Sequence, residues 1–116
     1  MISLPSAVRA FFCTRSVDMR KSFDGLSGLV QECFDQELLT GHLFLFLNRR
    51  RDRIKILYFD RDGLAIWYKR LEQGSFQMPQ TVTQDGVELQ PAQLAMLLSG
   101  IDLHTARQRK RFRRGA

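Results

Sequence analysis

Residues 41–72 read GHLFLFLNRRRDRIKILYFDRDGLAIWYKRLE. Three apolar runs are divided by two polar turns. Residues 42–47 are apolar at every position but the first, the pattern of a strand covered on both faces or central in its sheet. Residues 53–59 begin in alternation, with Arg53 and Lys55 pointing one way and Ile54 and Ile56 the other. Residues 64–71 continue similarly, with Leu64, Ile66 and Tyr68 opposite Ala65, Trp67 and Lys69. Asp62-Gly63 is a hairpin signal, because both residue types tolerate positive φ. Strands joined by such short turns run antiparallel. The stretch therefore predicts a three-strand meander. Its first turn, residues 48–53, holds four arginines, so one hairpin tip is strongly basic.

On the N-terminal side, residues 7–13 suit a short strand. Residues 18–35 change period: Leu26, Leu29, Val30, Cys33 and Phe34 share one helical face, with Asp18 or Ser22 as a candidate cap. Gly25 and Gly28 each weaken such a helix by about 1 kcal/mol relative to Ala. On the C-terminal side, residues 76–79 and 81–83 read as short extended pieces, Asp85-Gly86 as a second turn and residues 87–89 as a brief strand. Pro91 suits the first turn of a helix, Leu94, Leu97, Leu98 and Ile101 form its apolar stripe, and Gly100 is placed to stop it. The expected fold is α+β: a single, mostly antiparallel sheet, built from the central meander plus short strands, with two helices on at least one face. The expected organisation is one domain over residues 1–104 and a basic tail over 105–116.

A chain of 116 residues is long enough for one real core. No apolar run is longer than that of Leu43–Leu47, far short of the roughly 20 residues of a membrane helix, and no signal peptide is evident, so a cytoplasmic protein is expected. Cys13 and Cys33 lack paired spacing and stand apart from His42 and His104. They read as buried free thiols rather than as zinc ligands; no metal or cofactor is expected. The net charge of +6 is unevenly spread. Residues 1–106 hold twelve Lys/Arg and twelve Asp/Glu, whereas residues 107–116 hold six Lys/Arg and no acid. A neutral body with a basic tail is a different object from a basic domain.

The acids Asp18, Asp24, Asp60, Asp62, Asp85 and Asp102 are scattered, and Asp60, Asp62 and Asp85 sit in predicted turns, where Asp is favoured for bonding backbone. No phosphate-cradling Gly loop, nucleophile elbow or His-Glu metal motif is present, so the chain reads as non-enzymatic. Nucleic-acid binding has better support. Arg49, Arg50, Arg51 and Arg53, with Lys55 just after, can follow a phosphate backbone; the competing reading is a solvated loop, with Asp52, Asp60 and Asp62 offsetting part of the charge. The tail cations Arg107, Arg109, Lys110, Arg111, Arg113 and Arg114 would add a sequence-independent term, and Phe112 could stack on a base. The aromatics Phe44, Phe46, Tyr58, Phe59, Trp67 and Tyr68 could form a stacking platform, but core packing explains them better.

Five blocks then occur in order: residues 18–26 (DMRKSFDGL), 41–44 (GHLF), 55–64 (KILYFDRDGL), 69–76 (KRLEQGSF) and 94–102 (LAMLLSGID). Together they resemble the TnpB accessory proteins of bacterial insertion sequences, the Orf2-like proteins of the IS66 group, over about residues 1–103. The resemblance implies an accessory factor in transposition, encoded beside a larger transposase that does the strand chemistry. No catalytic residues are established for that family. Asp18, Arg20, Lys21, Asp24, Gly25, Lys69, Arg70 and Glu72 are therefore motif positions of unassigned role. The expected partners are DNA and the element's own transposase, with no membrane; self-association is compatible with the pattern. The leading expectation is a DNA-binding accessory protein acting at the element's ends or on the transposase–DNA complex. A protein–protein adaptor, using a strand edge or the 18–26 segment, is the main competitor, and a small metal-dependent nuclease a distant third.

Overall fold

The computed structural model describes residues 8–77 and 84–99. Five strands form one sheet: β1 (Ala10–Cys13), β2 (Leu43–Leu47), β3 (Arg53–Asp60), β4 (Gly63–Arg70) and β5 (Gly86–Leu89). Helix α1 (Phe23–Cys33) connects β1 to β2, and α2 (Pro91–Ser99) follows β5. The strand order is β4-β3-β2-β1-β5. Only β1 and β2 pair in parallel, as an intervening helix requires; the other neighbours are antiparallel. This is the expected α+β fold with its central meander, β2-β3-β4.

The uniformly apolar β2 is buried at every residue because both faces of the sheet are covered. On one face α1 sets Leu26 and Val30 against Phe11, Phe44, Phe46 and Leu57, with Leu64 and Ile66 packed alongside. On the other, Leu94 and Leu97 of α2 and the buried Phe76 meet Phe12, Leu45, Leu47, Ile54 and Ile56. The fold is thus a sheet between two helical layers, which buries far more apolar area than a sheet with one wet face.

Three local expectations are corrected. Of the two candidate caps, Ser22 takes the N-cap position, without a side-chain cap bond, and the helix begins at Phe23; Asp18 does not cap it, because residues 18–21 form a turn of their own. The Asp18 carboxylate accepts the Arg20 backbone N–H at 2.9 Å, and Lys21 N–H bonds the Asp18 carbonyl at 3.1 Å. In the β3–β4 hairpin it is Arg61, at φ 57°, that takes the left-handed position; Gly63 is already paired with Asp60. Gly86, read from sequence as a turn residue, instead permits a close approach. A Cβ there would collide with the Cys33 carbonyl and the Phe34 ring. The strand it opens pairs with β1; the 81–83 piece that precedes it in the chain lies outside the described residues. Phe76 is a buried core residue outside any strand. The expected pieces at 78–83, the Ile101 end of the second stripe and the 105–116 tail lie outside the described residues. Among the described residues, no helix is long and apolar enough to cross a membrane.

Candidate nucleic-acid interface

The topology gathers the basic segments at one end of the sheet. Register fixes Arg53 opposite Arg70, so the 48–52 turn and the end of β4 are neighbours. Val17 N–H bonds the carbonyl of Leu47, the last residue of β2, at 2.8 Å, which brings the loop carrying Arg20 and Lys21 to the same end. Strand alternation puts Arg53, Lys55, Tyr68 and Arg70 on the α1 face, and Lys69 on the face beneath α2.

The tip itself is built by Asn48. Its Oδ1 accepts the backbone N–H groups of Asp52 and Arg53, both at 3.0 Å, and its Nδ2 donates to Asp52 Oδ1 at 2.6 Å. Segment 71–76 braces the turn from the side: Leu71 N–H bonds the Asp52 carbonyl at 2.7 Å and Phe76 N–H the Arg51 carbonyl at 2.6 Å. Within this frame Arg49, Arg50 and Arg51 are exposed. Arg51 stands at φ 62°, a conformation that costs a non-glycine residue roughly 1–2 kcal/mol. Among the described residues no carboxylate forms an ion pair with Arg49, Arg50, Arg51 or Arg53. Asp52 is turned toward Asn48, and Asp60 and Asp62 lie at the opposite end of β3 and β4. Arg53 Nη1 is 3.5 Å from the Tyr68 hydroxyl, and Tyr68 is an exposed aromatic on the same face.

Other cations at this end are partly committed. Arg20 forks onto Asp18, with Nη2 to Oδ2 at 2.7 Å. That guanidinium, helped by the Arg20 backbone N–H, pulls the Asp18 carboxyl down to about 2. Arg70 pairs with Glu72 at 2.7 Å, which raises its already high pKa. Lys21 and Lys69 are exposed. Asp24 lies in the exposed first turn of α1. Gly25 fits beneath Lys21, whose Cβ and Cγ a side chain at 25 would meet at 3.2 Å.

Lys55 is a correction to the sequence reading, which grouped it with the tip arginines. It is 8 % exposed. Its Nζ donates to the carbonyls of Met19 and Lys21, both at 2.8 Å, and lies 4.8 Å from the centre of the Tyr68 ring. The ammonium is thus the clamp that holds the 18–22 turn onto the sheet, and it occupies two carbonyls that a longer α1 would need. Sequence alternation gave its direction correctly; nothing local showed that a segment more than thirty positions away covers it.

Among the described residues the candidate carboxylates do not converge; Asp102 lies outside them. Asp60 and Asp62 lie at the end of the sheet opposite Asp18, and among the described residues no group of three metal-binding side chains occurs. Phe44 and Phe46 are fully buried, so of the aromatics considered for stacking these two are core. The tail cations Arg107, Arg109, Lys110, Arg111, Arg113 and Arg114 lie outside the described residues.

Comparison with known proteins adds an independent observation. The model of a family described as IS66 Orf2 like protein matches residues 8–108. Two curated proteins of Sinorhizobium fredii (strain NBRC 101917 / NGR234) are similar along most of their length. The uncharacterized protein y4hO is 39% identical over 101 residues, covering 85% of this chain and 87% of its own. The uncharacterized protein y4jC is 31% identical over 102 residues, covering 88% and 86%. No solved structure matches the chain.

Proposed function

This chain belongs to the IS66 Orf2-like family, accessory proteins of insertion sequences, and from that premise we propose that it serves transposition as a non-enzymatic factor that contacts DNA. The grip is made by Arg49, Arg50, Arg51 and Arg53 on the phosphate backbone. Lys21, Lys69 and the ion-paired Arg20 and Arg70 flank them, the basic tail adds a sequence-independent hold, and the element's separate transposase acts on the same DNA. Phosphate contacts of this kind position a protein without reading sequence.

The observation that carries this reading is Arg51. It keeps a long cationic side chain at a left-handed position that glycine would occupy without strain, and it stands exposed directly after two further exposed arginines. Arg61 holds the same conformation at the opposite end of the sheet, but there it has no neighbouring exposed arginines, whereas Arg51 shares its turn with Arg49 and Arg50. A mobility-shift series with duplexes from the element's ends tests the reading. The wild-type chain is expected to retard the duplex at low salt, and the R49A/R50A/R51A variant to lose most of that shift. A wild-type chain that leaves the duplex unshifted at low salt overturns it.

A second reading, an adaptor that recruits the transposase through protein contacts, is favoured by β4. Among the described residues this eight-residue strand lies at the sheet edge and pairs only with β3, the geometry that strand addition uses. Co-purification with the transposase that survives nuclease treatment and high salt would select it.

A further inference from the structure

The crossover from β1 to α1 brings two thiols together that the sequence separates by twenty positions. Cys13 Sγ lies 3.6 Å from Cys33 Sγ. Cys13 is buried, whereas Cys33 is partly exposed and lines an open cleft of about 620 Å³ with Phe34, Asp85 and Gly86. Arg15, which follows β1, donates from Nη2 to Cys33 Sγ at 2.7 Å, and its guanidinium is held there by Glu32 at 3.2 Å.

We propose that Cys13 and Cys33 are a redox-active pair that closes to an intramolecular disulfide, with Cys33 the sulfur that meets a peroxide oxidant entering from the cleft. The division of roles follows from the surroundings. Cys33 is partly exposed and faces the cleft, whereas Cys13 is buried, so Cys33 is the sulfur an oxidant reaches first, and the Arg15 Nη2 bond fixes its position there. Burial pushes the Cys13 thiol up to about 11, so Cys13 waits protonated as the resolving partner.

Cys33 Sγ, giving up its proton, attacks one peroxide oxygen and the O–O bond breaks. This leaves Cys33 as sulfenic acid and releases hydroxide, which takes a proton to become water. The Cys13 sulfur then attacks Cys33 Sγ as the S–O bond breaks. The departing hydroxide takes the Cys13 proton and leaves as a second water. Two thiols lose two electrons in total, and one peroxide becomes two waters. A disulfide needs an S–S separation of about 2.05 Å. Cys33 is the last residue of α1, with Phe34 after it in an extended conformation, so the closing movement does not distort a helix interior. The bridge would tie α1 to β1 and close the loop that carries Asp18, Arg20, Lys21 and Gly25.

The test treats the full-length chain with hydrogen peroxide, unfolds it, blocks remaining thiols with a maleimide and maps the peptides by mass spectrometry. The expected product is a monomer lighter by two hydrogens, with Cys13 and Cys33 peptides joined and released by dithiothreitol. Cys13→Ser should instead accumulate a Cys33 sulfenic acid that dimedone traps, and Arg15→Gln should slow the reaction severalfold. Should either variant fail to fold, the wild-type peptide map alone decides. Both thiols still open to maleimide after oxidation, or a disulfide found only between chains, would overturn the proposal.

Discussion

Lys55 and Arg51 lie four positions apart at the start of one strand, both cationic, and the fold uses them in opposite ways. Lys55 is buried with its charge spent on two carbonyls and a tyrosine ring. Arg51 is exposed, conformationally strained and free of any ion pair among the described residues. Counting charges along the 48–55 stretch treats them as one patch. The sheet separates them, because Lys55 faces a loop that returns over it while the tip projects past the end of the strands. One cation holds the molecule together; the other is the one proposed to meet DNA.

The comparison can be broken most easily at Lys55. Lys55→Met removes two charge-assisted bonds to the Met19 and Lys21 carbonyls, a cost of about 2–3 kcal/mol. Urea unfolding should show it, and amide exchange should accelerate in the 18–22 turn; a neutral result would mean that the clamp is not structural. Asn48→Ala should cost less, about 1–2 kcal/mol, since water reaches part of the tip. It should also loosen Arg49, Arg50 and Arg51 without removing any charge, which would appear as weaker DNA binding at unchanged salt dependence. Arg51→Gly should leave the protein as stable or about 0–1 kcal/mol more stable, the relief of strain being offset by chain entropy. Its DNA binding should nevertheless weaken. A destabilised Arg51→Gly would show that the arginine is there for the fold.

The smallest effect concerns Asp18. Its carboxyl is held at about 2, below the ordinary 3.8, by Arg20. A depressed folded-state value stabilises the turn above the unfolded value, and that contribution fades as pH falls through about 2. The Asp18–Arg20 contact should therefore be intact at pH 4 and above. An NMR titration of the Asp18 carboxyl should give a midpoint near 2; one near 3.8 would show that the contact is absent in solution.

Strands β2, β3 and β4 were legible to within a residue or two, since alternation and short turns are local signals. The exposed tip was legible for the same reason. What sequence missed depends on contacts between distant segments. The partner of β5 is β1, which no turn signal reveals. The first helix starts late because Lys55 holds the 18–22 turn from another strand. Gly86 looked like a turn residue, yet its space is needed by the end of α1. In the same way Cys13 and Cys33 read as unrelated thiols until the crossover placed them together. The joining of Arg53, Arg70, Arg20 and Lys21 at one end of the sheet is likewise a property of topology, not of any motif.

The most direct test of the division between structural and ligand-facing cations is the salt dependence of DNA affinity. Each phosphate contact contributes about −0.9 to the slope of log K against log salt on duplex DNA. Replacing Arg49, Arg50 and Arg51 by Ala should make that slope shallower by about 3 while leaving thermal stability unchanged. A slope equal to that of the wild type would contradict the assignment of the tip to DNA.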